Sequence, residues 1–255
     1  MQQLSKTEIA VMTSRSVYKN RVKSVTDSMG KTERVIKKST NVKLGKKITR
    51  GKLKGAPIYT VTLEERATCP ASCAHWKTCY GNNMMFAIRY DANDALIDTM
   101  ESELVELQRK HPNGFMVRLH VLGDFFSVAY VAKWAKWLTM FPALNIYGYT
   151  ANQPDATDTL ERSIGLALLS LRSASPTRFA IRFSGNFDHD TWTALSADDS
   201  RAVDMVTNKQ AFICPTQISV ETGKLAKKDE KTLVPDCGAC GLCWTAQKPV
   251  VFLTH

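Results

Sequence analysis

No apolar run in this chain comes close to the roughly 20 residues that a bilayer-spanning helix requires. The longest, residues 164–171, is broken by Gly165 and Ser170. The N-terminus lacks the apolar core of a secretory signal. The chain is therefore expected in a cytoplasm, where structural disulfides are rare. Its cysteines number seven, and an odd count leaves no complete disulfide framework. Acid is scarce at one end only. Residues 1–55 carry 15 Lys/Arg against 3 Asp/Glu, while the remaining 200 carry 19 against 21, so the whole excess of +10 lies in the N-terminal fifth. This divides the chain into a basic N-terminal extension, residues 1–55, and a nearly neutral domain, residues 56–255. Such an extension is a candidate for contact with nucleic acid or another polyanion. The competing reading is a solvated arm, since no aromatic-rich reading surface accompanies the charge.

Past the arm, short β-branched runs alternate with helical periods. Residues 42–54, basic and punctuated by glycine, read as a hairpin leading into the body. Strands are expected at residues 57–63, 115–122, 144–149, 178–184, 211–214 and 250–254. Helices are expected near 92–107, 130–140 and 157–171, where apolar residues recur three and four apart, with a short one at 201–207. Strand–helix alternation of this kind predicts parallel strands joined by crossovers. About six strands suit a partial (β/α)6 barrel-like parallel sheet better than a closed barrel of eight. The fold class is thus α/β.

Strands of parallel sheets are usually apolar on both faces, and these are not. Phe115, Val117, Leu119 and Val121 share one face, with Arg118 and His120 on the other. Leu144 and Ile146 oppose Asn145, Tyr147 and Tyr149; Phe179, Ile181 and Phe183 oppose Arg178, Arg182 and Ser184. Unpaired charge inside a domain is costly, so the polar faces are expected to line a wet or ligand-filled cavity. The strand ends Gly123-Asp124, Thr150 to Asn152 and Gly185-Asn186 would lie at its mouth. Arg118, His120, Gly123, Asp124, Tyr149, Arg182, Ser184 and Asn186 are the candidate cofactor-binding residues, the alternative for each being a structural ion network.

All seven cysteines fall in two groups. Cys237, Cys240 and Cys243 are separated by two residues each, the spacing of a ferredoxin-type iron–sulfur run, and Cys214-Pro215 supplies a fourth thiolate. Gly238 and Gly241 permit the tight path such a loop needs. The first group, Cys69, Cys73 and Cys79, offers three thiolates; on a four-iron cluster that leaves one iron open, with His75 as an alternative fourth ligand. The expected cofactors are one or two [4Fe-4S] clusters. Zinc is the competing metal, since four cysteines, or three and a histidine, also make structural zinc sites. Trp244 is placed to shield a cluster from solvent.

Two resemblances rest on these residues. Cys69-Pro70 to Cys79-Tyr80, Arg118-x-His120-x-x-Gly123-Asp124-Phe125, and Cys237 to Trp244 with the closing Phe252-Leu253-Thr254-His255 resemble the phage and plasmid gene product 88-like family, over residues 42–255. That likeness implies a mobile-element origin and a host-cell cytoplasm rather than an activity. In layout the chain is also similar to radical S-adenosylmethionine enzymes. There a three-cysteine loop follows the first strand of a partial barrel, and an acidic glycine-containing motif ends the second. The likeness implies S-adenosylmethionine as a further cofactor, Gly123-Asp124 at its amine, Arg118, His120 and Arg182 at a substrate or cofactor carboxylate, and an auxiliary cluster on the second array. The interval between Cys73 and Cys79 is longer than in that pattern. A redox or radical enzyme, a metal-stabilised nucleic-acid-binding or regulatory protein, and a zinc-stapled structural protein are the functions the sequence leaves open.

Overall fold

The computed structural model describes residues 4–26, 33–185, 192–215 and 235–252. In chain order come α1 (Lys6–Thr13), β1 (Val22–Lys23), β2 (Lys37–Lys38), β3 (Ile58–Thr60), β4 (Arg89–Tyr90), α2 (Asp94–Lys110), β5 (Phe115–Leu119) and α3 (Val128–Met140). There follow β6 (Leu144–Thr150), α4 (Thr159–Ala174), β7 (Phe179–Ser184), β8 (Thr193–Ser196), α5 (Ser200–Thr207), β9 (Phe212–Ile213), α6 (Cys237–Cys240), α7 (Leu242–Thr245) and β10 (Val250–Phe252). The main sheet has eight strands in the order β2-β3-β5-β6-β7-β8-β10-β9. Its pairs are parallel except β2 with β3. The fold is α/β on a large, mostly parallel sheet. Among the described residues β2 and β9 are its two edges, and no pairing closes a barrel.

Helices α2, α3 and α4 form where the sequence period places them, each opened by a side-chain cap. Asn93, Ser127 and Asp158 accept from the backbone N–H three residues on, the usual remedy for unpaired donors at a helix start. Their apolar stripes (Leu96, Met100 and Leu104; Trp134 and Leu138; Ile164 and Leu168) bury one sheet face against Phe115, Val117, Leu119, Ile146, Phe179, Ile181 and Phe183. At about 1.5–3 kcal/mol for each large side chain removed from water, this layer is the main hydrophobic core.

The opposite face is where expectation and structure part. It is not an open cavity along its length. Ile58, Met116, Tyr147 and Ala180 are covered by Ile48, Leu53, Ala56, Cys243 and Trp244. A narrow hairpin forms at residues 46–58, shifted from the expected 42–54, with Ile48 N donating to Ala56 O and a bridge from Lys47 to Pro57. The hairpin then joins the second cysteine array through the backbone. Cys237 N donates to Lys43 O, Gly238 N to Leu44 O and Thr49 N to Gly238 O. A Cβ on Gly238 would stand 2.2 Å from Lys47 O. Val35 and Ile36 are likewise buried, held by Glu103, whose carboxylate accepts both backbone N–H groups. Much of the basic extension is thus built into the body.

The alternation read through β5 stops at Leu119, where the strand ends; the Leu119–His120 peptide bond is cis. His120 does not share a face with Arg118. It lies on the helix side, against Phe125 and Tyr130. The Leu119 carbonyl points at β6, and a Cβ on its partner Gly148 would lie 1.5 Å from that oxygen. A residue with any side chain cannot occupy this place in the sheet. Asn186 and the terminal residues 253–255 lie outside the described residues.

Candidate metal centres

The second array is built on two single-turn helices. Asp236 caps α6, its carboxylate accepting from Ala239 N at 2.7 Å, and Gly241, at φ +71°, turns the chain into α7. Cys237, Cys240 and Cys243 follow three apart, and Cys214 arrives from the end of β9, packed with Val250 and Ala194. All four line one narrow cavity of about 10 Å³, walled also by Phe212, Pro215, Gly241, Leu242 and Trp244. That is room for about one water-sized sphere. Burial pushes the Cys237 thiol up to about 12, with Cys243 and Cys214 adding to the rise. Burial likewise lifts Cys243 to about 11, against the pull of Tyr149 and Arg182. Without a cation these thiols stay protonated; a coordinated metal reverses that, because thiolates are its ligands.

Arg182, expected at a substrate, serves this array instead. Its guanidinium is fully buried and donates to Cys243 O at 3.0 Å, Lys248 O at 2.9 Å and Ala246 O at 2.8 Å. It holds α7 and the turn after it against β7. Tyr149 donates its hydroxyl to Cys243 Sγ at 2.9 Å. Trp244 lies on Tyr147, ring centres 4.8 Å apart.

The first array sits in the long connection between β3 and β4. Two arginines frame it. Arg66, at φ +66°, donates to Trp76 O at 3.1 Å and Asn82 Oδ1 at 2.8 Å. Arg89, buried in an ion pair with Glu65 at 2.6 Å, donates to Gly81 O, Met84 O and Ala87 O. Neither arginine stood out from the sequence, although the run Glu64-Glu65-Arg66 ahead of the cysteines is the charge signal that could have marked the network. Burial raises all three thiols: Cys69 well above the ordinary value, with Asp124 adding to it, Cys73 to about 11, and Cys79. His75 is exposed.

Gly123 and Asp124 lie beneath this loop. Gly123 has φ +80°, and a Cβ there would stand 2.6 Å from Thr68 Oγ1. The Asp124 carboxylate turns into the strand-end turns, accepting from Phe125 N at 2.7 Å, Thr150 Oγ1 at 2.8 Å and Ala151 N at 2.6 Å. Burial lifts its pKa to about 6 even so. Arg118, Gly123, Tyr149 and Ser184 are the predicted cofactor-binding residues that remain partly exposed at the carboxyl ends of the strands. Among the described residues, no three of His, Cys, Asp and Glu stand together as ligands for one metal ion.

His120 gives a direct test of its placement. Burial, helped by Arg118, lowers its pKa to about 3, below its unfolded value near 6.5. The unfolded chain therefore binds more protons between these values, and stability falls as pH drops from about 6.5 toward 3. Asp124, with a raised pKa, tilts the curve the other way between about 4 and 6. The comparison of wild type with His120→Gln cancels that contribution. Denaturant unfolding should show wild type losing up to about 1.4 kcal/mol per pH unit relative to the variant. Parallel curves would return His120 to solvent.

The whole is an α/β protein with two cysteine groups toward the carboxyl ends of a mostly parallel sheet. The chain belongs to the Gene product 88 family, whose model matches residues 34–246. No curated protein and no solved structure matches it. No helix among the described residues is long and apolar enough to cross a membrane.

Proposed function

We propose that the chain is an iron–sulfur protein of a reducing cytoplasm, with its surest cluster site on the second array. The observation that carries this is the convergence of Cys214 with Cys237, Cys240 and Cys243 on one cavity. A thiolate-only donor set is soft and suits iron–sulfur clusters or zinc. The two-residue intervals from Cys237 through Cys240 to Cys243 are those of a ferredoxin-type run and favour a cluster over tetrahedral zinc. The cavity is smaller than a cluster, and loading would spread the thiols. When bound, a cluster supplies one-electron chemistry at a potential set by the hydrogen bonds and burial around its sulfurs. The protein's part is visible in its own atoms: Tyr149 donates to Cys243 Sγ, Arg182 fixes the backbone that carries it, and Trp244 covers the approach.

The first array offers three thiolates for a second cluster at the mouth of a partial barrel. The Asp124 carboxylate already accepts three hydrogen bonds from the chain, so S-adenosylmethionine chemistry is not part of the proposal. Full-length protein purified without oxygen should contain about four iron and four sulfide per occupied site. Cys240→Ser should lose one site's iron and Cys73→Ser only the other's. Zinc without sulfide, or iron unchanged in both variants, would overturn the assignment.

A second reading rests on the hairpin. Between Arg34 and Leu63 the chain has nine Lys/Arg and no acid, and Lys43, Lys46, Lys47, Arg50, Lys52 and Lys54 are all exposed. Such a lobe suits phosphates of nucleic acid. Replacing Lys46, Lys47, Arg50 and Lys52 by Gln should weaken duplex DNA binding at low salt at least about tenfold. It should also flatten the dependence of affinity on salt by about one unit per lost phosphate contact. An unchanged slope removes this reading.

A further inference from the structure

Most of the buried or half-buried arginines in this fold spend their donors on backbone carbonyls or carboxylates. Arg66 and Arg89 frame the first cysteine loop, Arg182 holds α7, and Arg172, buried, donates to Phe179 O at 2.7 Å. Arg118 differs. It stands on the face of β5 away from the helices, partly exposed, at the carboxyl ends of the strands. One nitrogen, Nη1, donates to Leu119 O. Nε and Nη2 make no hydrogen bond among the described residues, and no carboxylate lies within ion-pair distance. The guanidinium is nevertheless held in place. Its centre lies 4.6 Å from the Tyr149 ring centre and 5.5 Å from that of Tyr147. Stacking on aromatic faces fixes the plane of an arginine and leaves its outer edge free.

A planar cation with two parallel donors unspent, on a shelf of two tyrosine rings at the carboxyl ends of the strands, matches a carboxylate or phosphate in two-point contact.

We propose that Arg118 seats the oxyanion, carboxylate or phosphate, of a small-molecule ligand that enters between the two cysteine groups. This goes beyond the cluster reading and stands without it, because every contact used is between protein atoms.

Full-length protein labelled with nitrogen-15 tests it, both as purified and stripped of metal. The Arg118 Nε–H resonance, identified as the one missing in Arg118→Lys, is followed while succinate or inorganic phosphate is added at constant ionic strength. The expected result is a saturable shift in both preparations. Competition between the lysine variant and wild type should show affinity at least about tenfold weaker, since an ammonium lacks the fork. Saturation with succinate alone assigns an organic acid, and with phosphate alone a phosphorylated ligand. Arg118→Gln, checked for unchanged unfolding temperature, should abolish binding. A drift without saturation, or equal binding by wild type and the glutamine variant, overturns the proposal.

Discussion

Gly148→Ala is expected to be the most damaging single-methyl change in the sheet. Gly148 sits near the carboxyl end of β6, paired with Leu119 on one side and Ile181 on the other. The added carbon would lie 1.5 Å from the Leu119 oxygen and 2.6 Å from its carbonyl carbon. Both are backbone atoms of a neighbouring strand, so no side chain can swing aside. Overpacking that side chains absorb costs about 1–3 kcal/mol. Here two strands must separate, and the cost should exceed about 3 kcal/mol, a large share of the roughly 5–15 kcal/mol that holds an ordinary domain together. For a chain of this size that lowers the unfolding temperature by roughly 6–12 °C or more. A variant as stable as wild type would mean that the Leu119 carbonyl does not point into β6, and the end of β5 would have to be redrawn.

The second large effect concerns metal and the hairpin together. On the proposed cluster site, stripping the metal, or replacing Cys214 by Ser, should loosen residues 43–50 as well as the cysteine turns. The hairpin hangs on that array through Lys43 O, Leu44 O and Thr49 N, and Asp236 both caps α6 and lies against Gly45. Metal binding adds its free energy to folding where the ligands come from separate parts of the chain, as Cys214 and residues 237–243 would in the proposed site. Amide exchange at Thr49, Cys237 and Gly238 should therefore accelerate at least about tenfold in the metal-free protein, with β5 and β6 unchanged. Equal protection with and without metal would separate the array from the stability of the hairpin.

What could be read from the sequence follows from how each feature is encoded. Helices α2, α3 and α4 and strands β5, β6 and β7 show their period locally, so residues such as Trp134 and Leu138 announce them. The two-residue strands β1, β2 and β4 are too short for alternation to register, and β8, four residues long, was also missed. The cover on the second sheet face was hidden for a different reason. It depends on backbone bonds between residues 43–49 and 237–238, and nothing in either stretch names the other. The grouping of cysteines was legible in their spacing, and Cys214 in its following proline. The use of Arg182 was not, because a guanidinium facing carbonyls and one facing a ligand look alike in a string of residues. His120 differs from expectation because the alternation read to residue 122 runs past the end of β5 at Leu119.

The most direct measurement is the iron, sulfide and zinc content of full-length protein isolated without oxygen, read beside its visible absorption. The account predicts a brown protein with iron and sulfide in equal amounts, about four of each per occupied site, bleaching as iron is removed. A colourless protein without iron or sulfide, with all seven thiols free to react, would contradict it.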